Sequence, residues 1–312
     1  MSRAGASPAP RPTTVGSLRL RHPVLTAAGT AGHGAELASF FPLGSLGAIV
    51  VKSLAAEPWA GNPAPRLHPT AAGMLNSVGL QGPGVTAWLA AELPALRAAG
   101  ATVVASIWGR TVEEFGRAAD LLAGAGPEVV AVEVNVSCPN LEDRNRIFAH
   151  DPEVAGAVIA ATAGCGRPRW AKLSPNTDRL VEVAEAVHAA GAEAVTLINT
   201  VLGMAIDTET RRPVLGAQRG GLSGRAIHPV AVRAVYDVHQ ARPDLPIVGV
   251  GGVGEGRDAV ELLLAGASAV QVGTATFADP RAAHRVAVEV DRWLDAHGVG
   301  DVAEVVGAAH RP

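Results

Sequence analysis

Short runs of apolar and β-branched residues recur along this chain, each followed by a longer stretch whose apolar positions return every three or four residues. The runs are residues 23–29 (PVLTAAG), 47–53 (GAIVVKS), 101–109 (ATVVASIWG), 129–137 (VVAVEVNVS), 169–175 (RWAKLSP), 194–200 (AVTLINT), 246–252 (PIVGVGG) and 268–274 (SAVQVGT). They predict eight strands. The intervening stretches predict helices over 85–99, 111–124, 151–163, 178–190, 228–241, 256–265 and 280–296. Thr111 and Asp151 stand where an N-cap side chain belongs, and Gly100, Gly191 and Gly266 stand where a helix ends. Strands that read as continuous apolar runs are buried on both faces, which suits a parallel sheet covered by helices. Eight such units predict an α/β fold of the (β/α)8 TIM-barrel type, with a doubly wound open sheet as the competing architecture. Two connections, 54–84 and 201–227, are longer than a bare barrel needs. Both leave from strand C-terminal ends, the face on which barrels build sites. The expected organisation is a flexible tail over residues 1–15 and one barrel domain over 16–312, without repeats or a second domain.

Composition narrows the function classes. Only 4% of the 312 residues are aromatic, and the formal charge is −3. That leaves neither a stacking surface nor a basic field for nucleic acid, and no attraction to anionic membranes. Two cysteines cannot build a disulfide framework, and the ten histidines are scattered without metal-ligand spacing. Residues 1–15 lack the apolar core of a secretory signal, and no window approaches the ~18 apolar residues of a membrane span. The expectation is a cytoplasmic protein with no nucleic-acid, membrane or metal partner.

The predicted strand ends are unusually polar. Lys52 and Ser53 close the second strand; Asn135 and Cys138 follow the fourth; Lys172 closes the fifth; Asn199 and Thr200 close the sixth. Asn76 lies in the long loop after the second strand. A buried lysine is costly unless it meets an anion, and a buried amide needs several partners. Their convergence on one barrel mouth points to a polar, partly anionic ligand. GVGGVGEG (249–256) has the Gly249-x-Gly251-x-x-Gly254 spacing of a dinucleotide fingerprint, but no acidic residue follows at the ribose-binding distance. Its place after the seventh strand, with Gly273-Thr274 after the eighth, fits the phosphate-binding loops of barrels better. GGLSG (220–224) offers further backbone donors. Lys172 allows two chemistries: a Schiff base, as in an aldolase or lyase, or a fixed cation at the electron-rich edge of a flavin. Cys138, between amides and near lysines, is placed to act as a base on a carbon-bound proton, whereas Cys165 in AGCGRP reads as a small buried hydrophobe.

The motifs VVKS (50–53), NSVGLQGPG (76–84), VNVSCPN (134–140), KLSPN (172–176), INT (198–200), GGLSG (220–224), GVGGV (249–253) and VGTA (272–275) occur in this order. Through them the chain resembles the class 1 dihydroorotate dehydrogenases, the subgroup with a cysteine base. The resemblance implies an FMN-containing barrel that oxidises (S)-dihydroorotate to orotate in pyrimidine synthesis. Cys138 would take the C5 proton while hydride leaves C6 for FMN N5. Lys52, Asn76, Asn135, Asn140, Asn199 and Thr200, with the backbone of Val78, Gly79 and Leu80, would hold the substrate. Ala28, Gly29, Lys52, Ser53, Asn135, Lys172, Gly224, Gly251, Gly252, Gly273 and Thr274 would hold FMN. Residues 205–229 look most like the NAD-linked class 1B catalytic subunit, which pairs with a second subunit carrying FAD and a 2Fe–2S cluster. A homodimeric barrel is also implied. A flavin paralogue acting on another dihydropyrimidine or cyclic acid, and a flavin-binding barrel without turnover, are the alternatives. Two stretches depart from the family pattern: Ser106 and Trp108 replace an asparagine-bearing strand end, and residues 141–147 carry Glu142, Asp143, Arg144 and Arg146.

Overall fold

The computed structural model describes residues 7–137, 139–140 and 146–311, and the side chains of Pro139, Asn140 and Arg146 are outside the description. Eight parallel strands form the centre: β1 Val24–Thr26, β2 Ile49–Val50, β3 Val103–Ile107, β4 Val129–Asn135, β5 Arg169–Lys172, β6 Ala194–Leu197, β7 Ile247–Val250 and β8 Ala269–Val272. They pair in the order β1-β8-β7-β6-β5-β4-β3-β2. The two ends of that order meet. Gly47 N–H donates to Val24 O at 2.9 Å and Thr26 N–H to Ala48 O at 3.3 Å, while Val50 N–H donates to Thr26 Oγ1 at 2.9 Å. These bonds close the barrel and exclude the open sheet.

All eight expected strands are present, because runs such as VVASI and AVTL are buried at every position and suit a sheet covered on both faces. Thr111 caps its helix by accepting from Glu114 N–H, and Asp151 caps the next by accepting from Glu153 and Val154 N–H. The expected helix 85–99 divides at Glu92 into Val85–Ala91 and Leu93–Ala98. Pro94 explains the break: it has no N–H to donate and its ring crowds the preceding turn. The last helix starts at Ala282 rather than 280, after a single turn over Ala275–Ala278.

Period-two alternation along the strands stacks the barrel interior in layers. The bottom layer is apolar: Leu25, Ala48, Val50, Val104, Ala131, Trp170, Ala194, Val248 and Ala269 share one buried cluster. Two residues further along their strands come Ser106, Glu133, Lys172, Thr196 and Gln271, all buried and all polar. The mouth lies above these. The bottom is plugged by a hairpin, Thr13–Val15 against Leu18–Leu20, whose Val15 and Leu20 join the apolar layer. Of the residues expected in the flexible tail, 13–15 are part of the barrel plug, and Ala9 N–H donates to Asp291 at 2.7 Å.

The two long connections fold against each other. Leu67–Thr70 and Gly73–Asn76 from the first, and Val201–Gly203 and Gly220–Ser223 from the second, build one four-stranded antiparallel sheet. Its central register sets Gly221 opposite Asn76 and Ser223 opposite Met74. A side chain at Gly220 would run into Asn76 O, and one at Gly221 into the Thr200 hydroxyl. These glycines of GGLSG thus allow sheet packing rather than phosphate binding, and Gly224 alone of the motif's glycines faces the cavity below.

Candidate active site

A cavity of about 710 Å³ opens at the C-terminal mouth, between the barrel strand ends and the four-stranded sheet. It has the size of a site for a cofactor together with a small substrate. Every described residue expected to bind a ligand lines it: Lys52, Asn76, Asn135, Asn199 and Thr200; Val78, Gly79 and Leu80; Ala28, Gly29 and Ser53; Lys172 and Gly224; Gly251, Gly252, Gly273 and Thr274. Cys138 and the side chain of Asn140 lie outside the described residues, as do Glu142, Asp143, Arg144 and the Arg146 side chain.

The amides are fixed by each other and by the backbone. Asn199 Nδ2 donates to Asn135 Oδ1 at 3.2 Å, and Asn135 Oδ1 also accepts Ser137 N–H at 3.3 Å. Thr200 N–H donates to Asn199 Oδ1 at 2.7 Å. Asn76 Nδ2 donates to Gly221 O at 3.2 Å, which ties the first long connection to the second. Ser53 and Ser106 share a hydroxyl hydrogen bond of 2.9 Å. Such bonds set which amide face points into the cavity, so a planar ring would meet donors and acceptors already oriented.

Two lysines reach this space in different settings. Lys52 loses hydration at the mouth and lies near the Lys172 ammonium; these effects, the first larger, lower its pKa to about 8. No carboxylate pairs with it among the described residues. Lys172 Nζ, by contrast, lies 3.5 Å from Glu133 Oε1. That ion pair anchors Lys172 at the cavity floor.

The glycine loops form a cradle. Gly251 has φ +145 and Gly252 φ +71; an added Cβ would lie 2.7 Å from Ala231 Cβ and 2.6 Å from His228 Cβ respectively. Gly224 has φ +93, and its Cβ would sit 2.7 Å from Gly73 Cα. The backbone N–H groups of Gly252 and Val253 find no acceptor among the described residues and belong to the loop facing the cavity. Gly249 does different work: it packs against Ala267 and Leu262 behind β7, so the dinucleotide-like spacing is split between packing and cradle.

A family model described as dihydroorotate dehydrogenase matches residues 12–294. The chain belongs to the dihydroorotate dehydrogenase family. It is 46% identical over 295 residues, 94% of this chain and 96% of the relative, to the protein of Trichlorobacter lovleyi named dihydroorotate dehydrogenase B (NAD(+)), catalytic subunit. The protein of the same name from Desulforudis audaxviator is 48% identical over 298 residues, 95% of this chain and 96% of the relative. Dihydroorotate dehydrogenases depend in general on a flavin. The residues present fit one: a cradle with unused N–H groups suits a phosphate, and Lys172 suits the electron-rich edge of the ring.

Sequence reasoning about this dihydroorotate dehydrogenase family member missed three supporting groups. Glu133 is wholly buried beneath Lys172; the signal was an acid inside the run VAVEVNV. Asn176 donates to Thr200 O at 3.0 Å and accepts Leu202 N–H at 2.8 Å, and stood in the motif KLSPN. Trp59 clamps the loop over residues 78–82. Its indole N–H donates to Gly79 O at 2.9 Å, its backbone pairs with Gly82, and its ring packs edge-on to Trp108 and beneath Arg110. The Trp108 departure therefore supports the loop carrying Val78, Gly79 and Leu80, the last at φ +61.

Proposed function

We propose that this chain oxidises (S)-dihydroorotate to orotate with bound FMN, in de novo pyrimidine synthesis. The observation that carries the reading is the meeting of amides, two lysines and a glycine cradle in one cavity of a family member. Gly251, Gly252, Gly273 and Thr274 hold the FMN phosphate, Lys172 neutralises the ring edge, and Ala28, Gly29, Ser53 and Gly224 shape the rest of the cofactor site. FMN supplies the acceptor for the hydride that leaves C6. Lys52 takes the substrate carboxylate, while Asn76, Asn135, Asn140, Asn199 and Thr200 hold the ring polar groups. Cys138 removes the C5 proton as thiolate and returns it to solvent, so the substrate loses two hydrogens and its C5–C6 bond becomes double.

The relatives named as the catalytic subunit of an NAD(+) enzyme support a second subunit for this chain. We assign that partner the FAD and 2Fe–2S cluster, because the chain has only two cysteines and its Gly249-x-Gly251-x-x-Gly254 spacing is used otherwise. The barrel works as a homodimer in the cytoplasm; no helix among the described residues is long and apolar enough to cross a membrane. The test is anaerobic addition of dihydroorotate to the yellow protein. The visible flavin absorbance bleaches, and NAD restores it only with the partner subunit present. Protein that holds no flavin, or flavin that stays oxidised, overturns the reading. Re-oxidation of the isolated barrel by fumarate removes the NAD-linked part. Cys138→Ser keeps FMN but slows reduction at neutral pH by on the order of 10²-fold or more; unchanged kinetics rule out the thiol as base.

A further inference from the structure

The polar layer under the cavity contains a carboxylate with no access to water. Glu133 is 0% exposed on β4, two residues before Asn135. Three donors converge on it. Lys172 Nζ approaches Oε1 at 3.5 Å, while Oε2 accepts Thr196 Oγ1 at 3.1 Å and Gln271 Nε2 at 2.7 Å. An ionised carboxylate only accepts, and each of these partners can donate, so the set matches the charged form. Strands β5, β6 and β8 each supply one donor, so Glu133 is held from three sides.

A wholly buried anion is expensive, and an apolar or neutral side chain would pack the same space at less cost. Its counter-charge is the lysine that reaches the cavity floor. We propose that Glu133 is a positioning residue that seats the Lys172 ammonium against the flavin edge and offsets part of its charge, thereby setting the reduction potential of the bound flavin. Glu133 itself does not line the cavity; it acts through Lys172 and through its own field. The inference rests on the flavin part of the proposed function, whereas the coupling of the pair does not.

Net charge at the floor orders the variants. Glu133→Gln leaves the lysine uncompensated, which favours the electron-rich reduced flavin. Lys172→Met leaves the carboxylate uncompensated and disfavours it. The double variant removes both charges. Dye-equilibrated titration with a chemical reductant, which needs no dihydroorotate, reads the potential. Glu133→Gln shifts the reduced-to-oxidised equilibrium on the order of tenfold toward reduced, about 30 mV for a two-electron couple. Lys172→Met shifts it the other way, and the double variant falls between the singles. A role confined to packing would lower flavin affinity without ordering the potentials. A Glu133→Gln potential at or below wild type overturns the proposal. Thermal melting of the flavin-free proteins tests the pair independently: the double variant melts above both singles, since each single strands a buried charge. A double variant no more stable than the worse single overturns the pairing. If Glu133→Gln does not fold, the melt of the double against Lys172→Met and its flavin potential decide the question. Wild-type protein without flavin would sink the proposed function while leaving the melting order as a test of the pair.

Discussion

Raising the pH through the Lys52 titration is the sharpest probe of how the cavity binds an anion. The lysine's pKa lies at about 8, because lost hydration and the Lys172 ammonium both oppose its charge. The sign follows directly: the cation is present below pH 8 and is lost as pH rises through that value. If Lys52 receives the carboxylate of orotate, the bound anion raises the lysine pKa, so binding captures a proton once the free site has lost it. Affinity then weakens by the factor 1 + 10^(pH − 8), about 1.1 at pH 7 and about 11 at pH 9. The assay is titration of the FMN-loaded Cys138→Ser protein with orotate at fixed ionic strength, followed by the flavin spectrum. Serine at position 138 removes the thiol as a second titrating group. His33, which also faces Lys52, has its pKa lowered by burial and then by that lysine, so it is neutral across the window. The Lys52→Met variant binds orotate weakly and with no step near pH 8. Affinity that stays level to pH 9 in the lysine protein, or an equal fall in the methionine variant, refutes the assignment of Lys52 as the anion's partner.

Two further predictions concern loops. Trp59→Phe deletes the indole hydrogen bond to Gly79 O but keeps a ring between Trp108 and Arg110. A lost hydrogen bond of ~1 kcal/mol should raise KM for dihydroorotate about fivefold with kcat nearly unchanged; an unchanged KM would show that the loop holds its shape without the clamp. Gly252→Ala places a Cβ at φ +71 and 2.6 Å from His228 Cβ, in backbone that costs an ordinary residue ~1–2 kcal/mol. The variant should purify with far less FMN and melt several degrees lower without it, and full FMN content at the wild-type melting temperature would remove this loop from the cradle.

The barrel strands were legible because burial on both faces turns them into unbroken apolar runs, a signal each segment carries alone. The four-stranded sheet over the mouth was not, because Gly73–Asn76 pairs with Gly220–Ser223 across more than 140 residues. Those strands are short, glycine-rich and only half-buried, so neither alternation nor β-branching marks them. The division at Glu92 was written in Pro94 but looked like the interior of a long amphipathic stretch. The site divides in the same way. Residues at strand ends could be read once a barrel was assumed, since every strand ends at the same rim. Glu133 stood out as an acid inside VAVEVNV, but its partners Lys172, Thr196 and Gln271 come from three other strands, and no local pattern announces that meeting.

The two cavity lysines show what that hidden layer adds. Both reach the same space, and like charges side by side each raise the cost of the other. One buried carboxylate lies beneath only one of them. Glu133 compensates Lys172, so the floor cation is held in the folded protein whether or not a ligand is bound. Lys52 has no such partner among the described residues, and burial, followed by the nearby Lys172 ammonium, lowers its pKa to about 8. A ligand that brings a carboxylate completes it, and gains more than it would against a lysine already paired. Moving the carboxylate from beneath Lys172 to beneath Lys52 would conserve net charge and reverse these roles. The position of a single acid on β4 therefore leaves Lys172 paired and Lys52 without a carboxylate among the described residues.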